Sequence, residues 1–204
     1  MIGRLLDWVY PPKCGLCSQF GPTAICDACA QDFKPLGLIP PSGSLVRVVA
    51  AFHYESRAAQ AVRRLKYNRA TSLADPLAVL VRSAYDSFDC DEFDYIAPVP
   101  IHWMRRAYRG FNQSEALAAG LPADKVRPEL LSRIRMTRPQ VGLTREERVQ
   151  NLLGAFAAST HAAGKSVLLV DDVTTSGHTA EQCAVALYGA GATRVGLLAL
   201  TGES

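Results

Sequence analysis

Apolar positions along this chain alternate between runs that suit strands and spacings that suit helices. Leu45 to Tyr54 reads as a strand, and in Glu55 to Tyr67 the residues Ala58, Ala61, Val62 and Leu65 fall on one helical face. A second helix over about Ser72 to Phe88 turns Leu77, Leu80, Val81, Ala84, Tyr85 and Phe88 inward. Tyr95 to Val99 is the next strand, ending in Pro98-Val99-Pro100, and Ala155 to Ala158 forms a short one. Val167 to Val170 is a continuous apolar run bounded by turn residues, the pattern of a strand covered on both faces, and it stops in acid at Asp171 and Asp172. After a hydroxyl-rich turn, Ala180, Cys183, Ala184 and Leu187 mark a helix that Gly189 and Gly191 end, and Thr193 to Leu200 is the closing strand. The alternation predicts an α/β fold with a mainly parallel sheet flanked by helices, and a ligand site at the carboxyl ends of its strands.

With 204 residues, 49% of them hydrophobic, the chain can bury one good core and carry a small appendage. A net charge of +3 permits anionic ligands without announcing nucleic acid, for which a clustered basic patch is the better sign. The first residues, MIGRLLDWVYPPK, lack the apolar stretch of a signal peptide, and no segment approaches the roughly 18 apolar residues of a membrane span. The expected location is cytoplasmic, where the six cysteines are thiols.

Four of the six form a C-x2-C-x8-C-x2-C array: Cys14, Cys17, Cys26 and Cys29. Two such knuckles supply four thiolates to a tetrahedral zinc ion, around which a segment too short to bury its own core can fold. Paired disulfides or a redox dithiol are the alternatives. A closed four-thiolate site leaves no open position, so the zinc is expected to be structural. Gly37 to Ser44, rich in proline, glycine and serine, reads as the linker out of this module. The expected division is a zinc module over 1–41 and an α/β domain over 42–204.

The chemistry concentrates in VLLVDDVTTSGHT, residues 167–179. A strand, a loop and a helix in succession place unpaired backbone N–H groups and a partial positive charge at the loop, and Gly177 lets the chain approach a ligand closely, a shape that holds phosphate. Thr174, Thr175, Ser176 and Thr179 add hydroxyl donors. Asp171 and Asp172 are acceptors and suit neighbouring sugar hydroxyls. Phosphate donors and diol acceptors a few residues apart describe a ribose 5-phosphate, although an ordinary acidic loop at a doubly wound strand end shares part of the pattern.

These thirteen residues resemble the phosphoribosyl pyrophosphate (PRPP) motif of the type I phosphoribosyltransferases. The resemblance implies that Asp171 and Asp172 hold the ribose hydroxyls while Val173, Thr174, Thr175, Ser176, Gly177, His178 and Thr179 hold the 5′-phosphate. Ser176 stands where a threonine is commoner, which keeps the hydroxyl.

Three arginines, Arg105, Arg106 and Arg109, lie in the loop after the Tyr95 strand, before Gly110 and a helix start at Asn112 to Glu115. They could grip a diphosphate by paired hydrogen bonds or form a solvated basic loop. Lys66 lies at the edge of the buried face of its helix, placed to reach over the sheet or to snorkel at the surface, whereas Arg63 and Arg64 point further out. Arg138 to Asn151, RPQVGLTREERVQN, lacks an apolar face and reads as a lid or as a purely structural loop.

The order PVP…RRAYRGFNQSEALA, then Thr137, Gln140, Leu143, Arg148 and Asn151, then the PRPP motif, behind a cysteine-knuckle module, resembles the ComF-type proteins of bacterial competence over nearly the whole chain. The resemblance implies a type I phosphoribosyltransferase-like domain that binds magnesium-PRPP and transfers phosphoribosyl to an acceptor with loss of pyrophosphate. In that family, 138–151 would be the mobile flap. Arg105, Arg106 and Lys66 would stabilise the leaving group, Arg109 would help bind PRPP, and the acidic pair would fix the ribose. No stretch identifies the acceptor. The alternative is a non-catalytic PRPP- or nucleotide-sensing component of DNA uptake, which binds single-stranded DNA or a helicase partner through the zinc module and the basic residues Arg63, Arg64, Lys66 and Arg69.

Overall fold

The structure is a computed structural model that describes residues 12–41, 43–67, 71–136 and 152–203. The chain enters through two cysteine turns around the short helix α1 (Asp27–Ala30), then forms β1 (Pro35–Ile39) and β2 (Arg47–His53). The helices α2 (Ser56–Tyr67) and α3 (Ala74–Ser87) lead to β3 (Tyr95–Pro98). Two short helices follow, α4 (Trp103–Arg109) and α5 (Gln113–Ala118), and then the strands β4 (Leu131–Arg133) and β5 (Phe156–Ala158). The last elements are β6 (Ser166–Thr174), α6 (His178–Gly189) and β7 (Arg194–Gly202).

Five strands form one sheet in the order β1-β2-β7-β6-β3. β2, β7, β6 and β3 are parallel, and only β1 runs antiparallel, along the edge beside β2. β4 and β5 pair separately as an antiparallel ribbon. Because side chains alternate across a strand, β6 feeds two cores at once. Leu168 and Val170 join Val49, Leu198 and Leu200 under α2, α3 and α5. Val167 and Leu169 join Val195 and Leu197 under α6 and the β4–β5 ribbon. The expected α/β fold, a mainly parallel sheet flanked by helices behind a four-cysteine zinc module, is the one observed.

Three details differ from the sequence expectation. Pro35–Ile39 pairs with β2 as the edge of the main sheet, so the sheet begins ahead of a boundary at residue 41 and takes in part of the expected linker. The stretch carrying the arginines is not a loop: His102 caps α4 by accepting from the Met104 N–H, and Asn112 caps α5 by accepting from the Ser114 N–H. Gly110 ends α4 at φ 88°, a left-handed turn that glycine adopts without penalty. Finally, β6 does not stop at the acids. It runs on to Thr174 because β7 is long enough to keep pairing with it, as far as Thr174 beside Gly202.

The zinc module is not a loose appendage. The four cysteine sulfurs lie within 4.8 Å of one another, and Cys17 Sγ stands 3.7 Å from Cys26 Sγ. That is about the edge of a tetrahedron built with zinc–sulfur bonds of about 2.3 Å. Burial opposes ionisation of Cys14, but N–H groups of Cys17, Cys26 and Leu16 outweigh it and bring the thiol down to about 6. Cys29 is pushed up to about 12 by burial and by the neighbouring thiols, a conflict that a bound dication relieves. Cys14, Leu16, Cys29 and Phe33 are buried in the same core as α2 and α3. A Cβ on Gly15 would lie 2.6 Å from the Leu73 Cδ2 methyl, and the Arg64 guanidinium donates to the Gly15 carbonyl. No helix among the described residues is long and apolar enough to cross a membrane.

Removing the metal should therefore unseat part of the main core. Chelation of zinc is expected to lower the melting temperature of the whole chain by roughly 5–15 °C in one cooperative transition, followed by circular dichroism. An unshifted main transition would show that the module folds independently of the domain.

Candidate functional site

The parallel strands β2, β3, β6 and β7 all end on one side of the sheet, and the unequal lengths of β3 and β6 open a cleft there. β3 pairs with β6 only as far as Pro98 beside Val170, so the next residues of β6, Asp171 and Asp172, have β7 on one flank and the cleft on the other. The cleft holds about 580 Å³, within the range of small-molecule sites. Its floor is Asp171 to Ala180, and its walls include Lys66, Tyr67, Arg105, Arg109, Gln113 and Arg133.

Strand alternation sends the two carboxylates to opposite faces of β6, and each meets a different partner. Asp172 faces α2, where the Lys66 Nζ lies 2.8 Å from its Oδ1. Burial works against the charge on Lys66, but Asp172 and then Asp171 outweigh it and hold the ammonium above its ordinary value. Asp171 accepts from the Ser114 Oγ at 3.0 Å and from the Asp172 N–H at 2.8 Å. Those bonds are not enough to offset its burial and the adjacent Asp172 charge, and its carboxyl is pushed up to about 7. The pair is thus one carboxylate held by a lysine beside one acid that titrates near neutrality.

The turn from Thr174 to Gly177 then carries the chain into α6. Gly177 sits at φ 70° as the N-cap and brings no side-chain acceptor to the first turn. Thr175 and Ser176 are exposed, and the Ser176 Oγ lies 2.7 Å from His178 Nδ1. Val173, Thr174, Thr175, Ser176, Gly177, His178 and Thr179 all line the cleft.

The three arginines of α4 part company. Arg109 donates to the Gln113 Oε1 at 2.9 Å and lies 5.3 Å from the centre of the Tyr67 ring. Arg105 lines the cleft, and burial, with the charge of Arg109, holds it below its ordinary value. Arg106 faces outward in an ion pair with Glu115 at 2.7 Å and is not part of the lining. The helical turn explains the division, since residues 105 and 109 share a face and 106 does not.

Three further residues enter the site that motif reading passed over. Ser114 orients Asp171, Gln113 lies in the wall, and Arg133 reaches in from β4 while its guanidinium stacks 5.2 Å from the Phe156 ring. Burial and the charge of Arg105 push Arg133 down to about 10. Gln113 and Ser114 fall inside the block GFNQSEALA, so position alone could have flagged them; Arg133 lies in no motif. The expected flap, 138–151, falls outside the described residues, as do Thr137 and Arg69.

Comparison with known proteins gives matches at both ends of the chain. Residues 5–40 match the model of the double zinc ribbon domain family, in keeping with the structural zinc. The DNA utilization protein YhgH of Salmonella typhimurium is 33% identical over 195 residues, which cover 90% of this chain and 80% of that protein. Competence protein F of Haemophilus influenzae is 28% identical over 186 residues, 82% of this chain and 81% of that protein. Among solved structures, one titled as the allosteric regulatory enzyme of purine biosynthesis aligns with 63% of this chain at a TM-score of 0.42 and 21% identity, and this chain spans 26% of its length.

The raised carboxyl of Asp171 has a consequence for stability. The folded chain holds this proton up to about 7, whereas the unfolded chain releases it near 3.8, so the group's contribution is full in acid and is lost as pH rises through 7. Asp171→Asn, which mimics the protonated form, should exceed the parent at pH 5 by only about a third of its margin at pH 8, because at pH 5 the unfolded chain has released the proton and the folded chain has not. At pH 8 it should melt roughly 2–8 °C higher, a difference that thermal denaturation at the two pH values reads directly.

Proposed function

We propose, from the premise that this chain belongs to the family of DNA utilization protein YhgH and competence protein F, that its cleft binds PRPP and transfers the phosphoribosyl group to an acceptor with release of pyrophosphate. The observation that carries the reading is the segregation of acceptors and donors in one cleft. Carboxylates from β6 stand at its floor, the Gly177 turn opens beside them, and Lys66, Arg105, Arg109 and Arg133 gather on its walls. A sugar bearing a 5′-phosphate and an anomeric diphosphate has that distribution of groups.

In the reaction, the bond from the anomeric carbon to the diphosphate breaks as the acceptor forms its own bond to that carbon, and the sugar passes through an oxocarbenium-like state. The chain's task is to bind, orient and stabilise charge, with no nucleophile of its own. Asp172, fixed by Lys66, and Asp171, fixed by Ser114, accept from the ribose hydroxyls, and their negative field favours the cationic sugar. The 5′-phosphate lies against the turn before α6, where backbone N–H groups and hydroxyls donate. Arg105 and Arg109 receive the departing diphosphate, with Lys66 beside them. Arg106 supports the wall from outside through Glu115. Among the described residues, the four cysteines form the only group of three or more ligating side chains, so magnesium would arrive on the diphosphate oxygens of the substrate.

A second reading, binding of single-stranded DNA without catalysis, draws on α4. Trp103 is 69% exposed one helical turn before the outward-facing Arg106, a pairing of an aromatic face with positive charge on which a base stacks. The Arg63–Arg64 cluster contributes less to this than its charge implies, because Arg64 is engaged with the zinc module.

Titration calorimetry of magnesium-PRPP separates the readings. The parent protein should bind, and a folded Asp171→Asn, Asp172→Asn variant should bind at least about tenfold more weakly. A zinc-replete parent that does not bind PRPP, yet binds an oligonucleotide with an affinity falling steeply in salt, would move the weight to the DNA reading.

A further inference from the structure

Gln113 is the first residue of α5 and is 1% exposed, yet it borders the cleft. Its side chain has two ends, and the hydrogen bonding settles which is which. Arg109 has only donors, so the atom it reaches at 2.9 Å must be the carbonyl oxygen, Oε1. The amide nitrogen, Nε2, is thereby left as a buried donor, and it has no hydrogen-bond partner. A buried N–H without an acceptor is costly, and folded chains retain such a group rarely and for a reason.

The surroundings state what kind of acceptor is missing. The carboxylates of β6 are engaged by Lys66, Ser114 and the backbone, and the polar side chains on this wall, Arg105 and Arg109, bring positive charge. Arg109 is held in place twice, by Gln113 and by the Tyr67 ring, so the amide donor and the guanidinium form one rigid unit. A neutral donor locked beside a guanidinium suits an oxygen that carries negative charge and accepts from both. A sugar hydroxyl, which needs an acceptor as well as a donor, is better served by the acids across the cleft.

We propose that Gln113 is a specificity residue of this cleft, its Nε2 donating to a diphosphate oxygen of the ligand while its Oε1 fixes Arg109 toward the same group. The proposal rests on the reading of the cleft as a PRPP site. Gln113 therefore discriminates the diphosphate end of the ligand from the ribose 5-phosphate end.

The test is to titrate magnesium pyrophosphate and, separately, ribose 5-phosphate into the parent protein and into Gln113→Glu and Gln113→Met variants, with melting curves as a check on folding. Glutamate keeps the acceptor for Arg109 and removes the donor, and methionine removes both at similar size. Pyrophosphate affinity is expected to fall tenfold or more in the glutamate variant and about fivefold or more in the methionine variant, with ribose 5-phosphate affinity kept within about twofold. If the glutamate variant does not fold, the methionine variant decides alone by the same contrast. Unchanged pyrophosphate binding in a folded variant, or an equal loss for both ligands, overturns the role of Gln113 and leaves the site reading intact. A parent protein that binds neither ligand nor PRPP overturns the site reading, and this proposal with it.

Discussion

Two adjacent carboxylates on an interior strand of a buried sheet cannot both stay charged without compensation, and the rest of the site is arranged around that constraint. Strand geometry separates them to opposite faces of β6. Asp172 receives an ammonium from α2, whereas Asp171 receives only a hydroxyl from α5 and a backbone N–H. The unequal treatment leaves Asp172 paired and Asp171 near its titration point at neutrality. Lys66 lies on the same helix whose inner face packs Ala58, Ala61, Val62 and Leu65 into the core, so the position of the charge is set by packing several residues away.

The zinc module belongs to this same chain of dependence. Its buried cysteines and Leu16 pack under α2 and α3, and Arg64 ties Gly15 to the helix that carries Lys66. A structural metal at one edge of the domain thus supports the helix that neutralises an acid at the centre. This arrangement gives a physical reason for a small metal module to accompany a larger domain: it completes a core that the domain would otherwise leave open.

Much of the architecture was legible in the residues. The apolar runs and helical spacings located the strands and the longer helices, because burial imposes those periods directly on sequence. The cysteine array announced its own geometry, since four thiolates at knuckle spacing have few other uses. The paired acids and the glycine turn are the basis on which a phosphorylated sugar is proposed, and the order of blocks named the family. Less legible were the ends of elements. β6 outran its apolar stretch because its length is set by the neighbouring β7, and Pro35–Ile39 joined the sheet because β2 offered it an edge. The arginine stretch is helical because His102 and Asn112 cap two turns that propensity alone would leave marginal.

Sequence by itself determined which functional groups the chain carries: thiols at knuckle spacing for a metal, a pair of acids at a strand end, a glycine turn and a set of cations. Those are local properties, written in residue type and short spacing. Which of those groups meet was decided only by the tertiary structure. It turned Arg105 and Arg109 inward and Arg106 outward, and joined Lys66 to Asp172 across a long stretch of chain. It also brought Arg133 into the cleft from a short ribbon with no motif, and left the buried amide donor of Gln113 without a hydrogen-bond partner. The physical reason is that these contacts join segments distant in sequence, and their geometry follows from how the sheet and helices pack, which no short window of residues records.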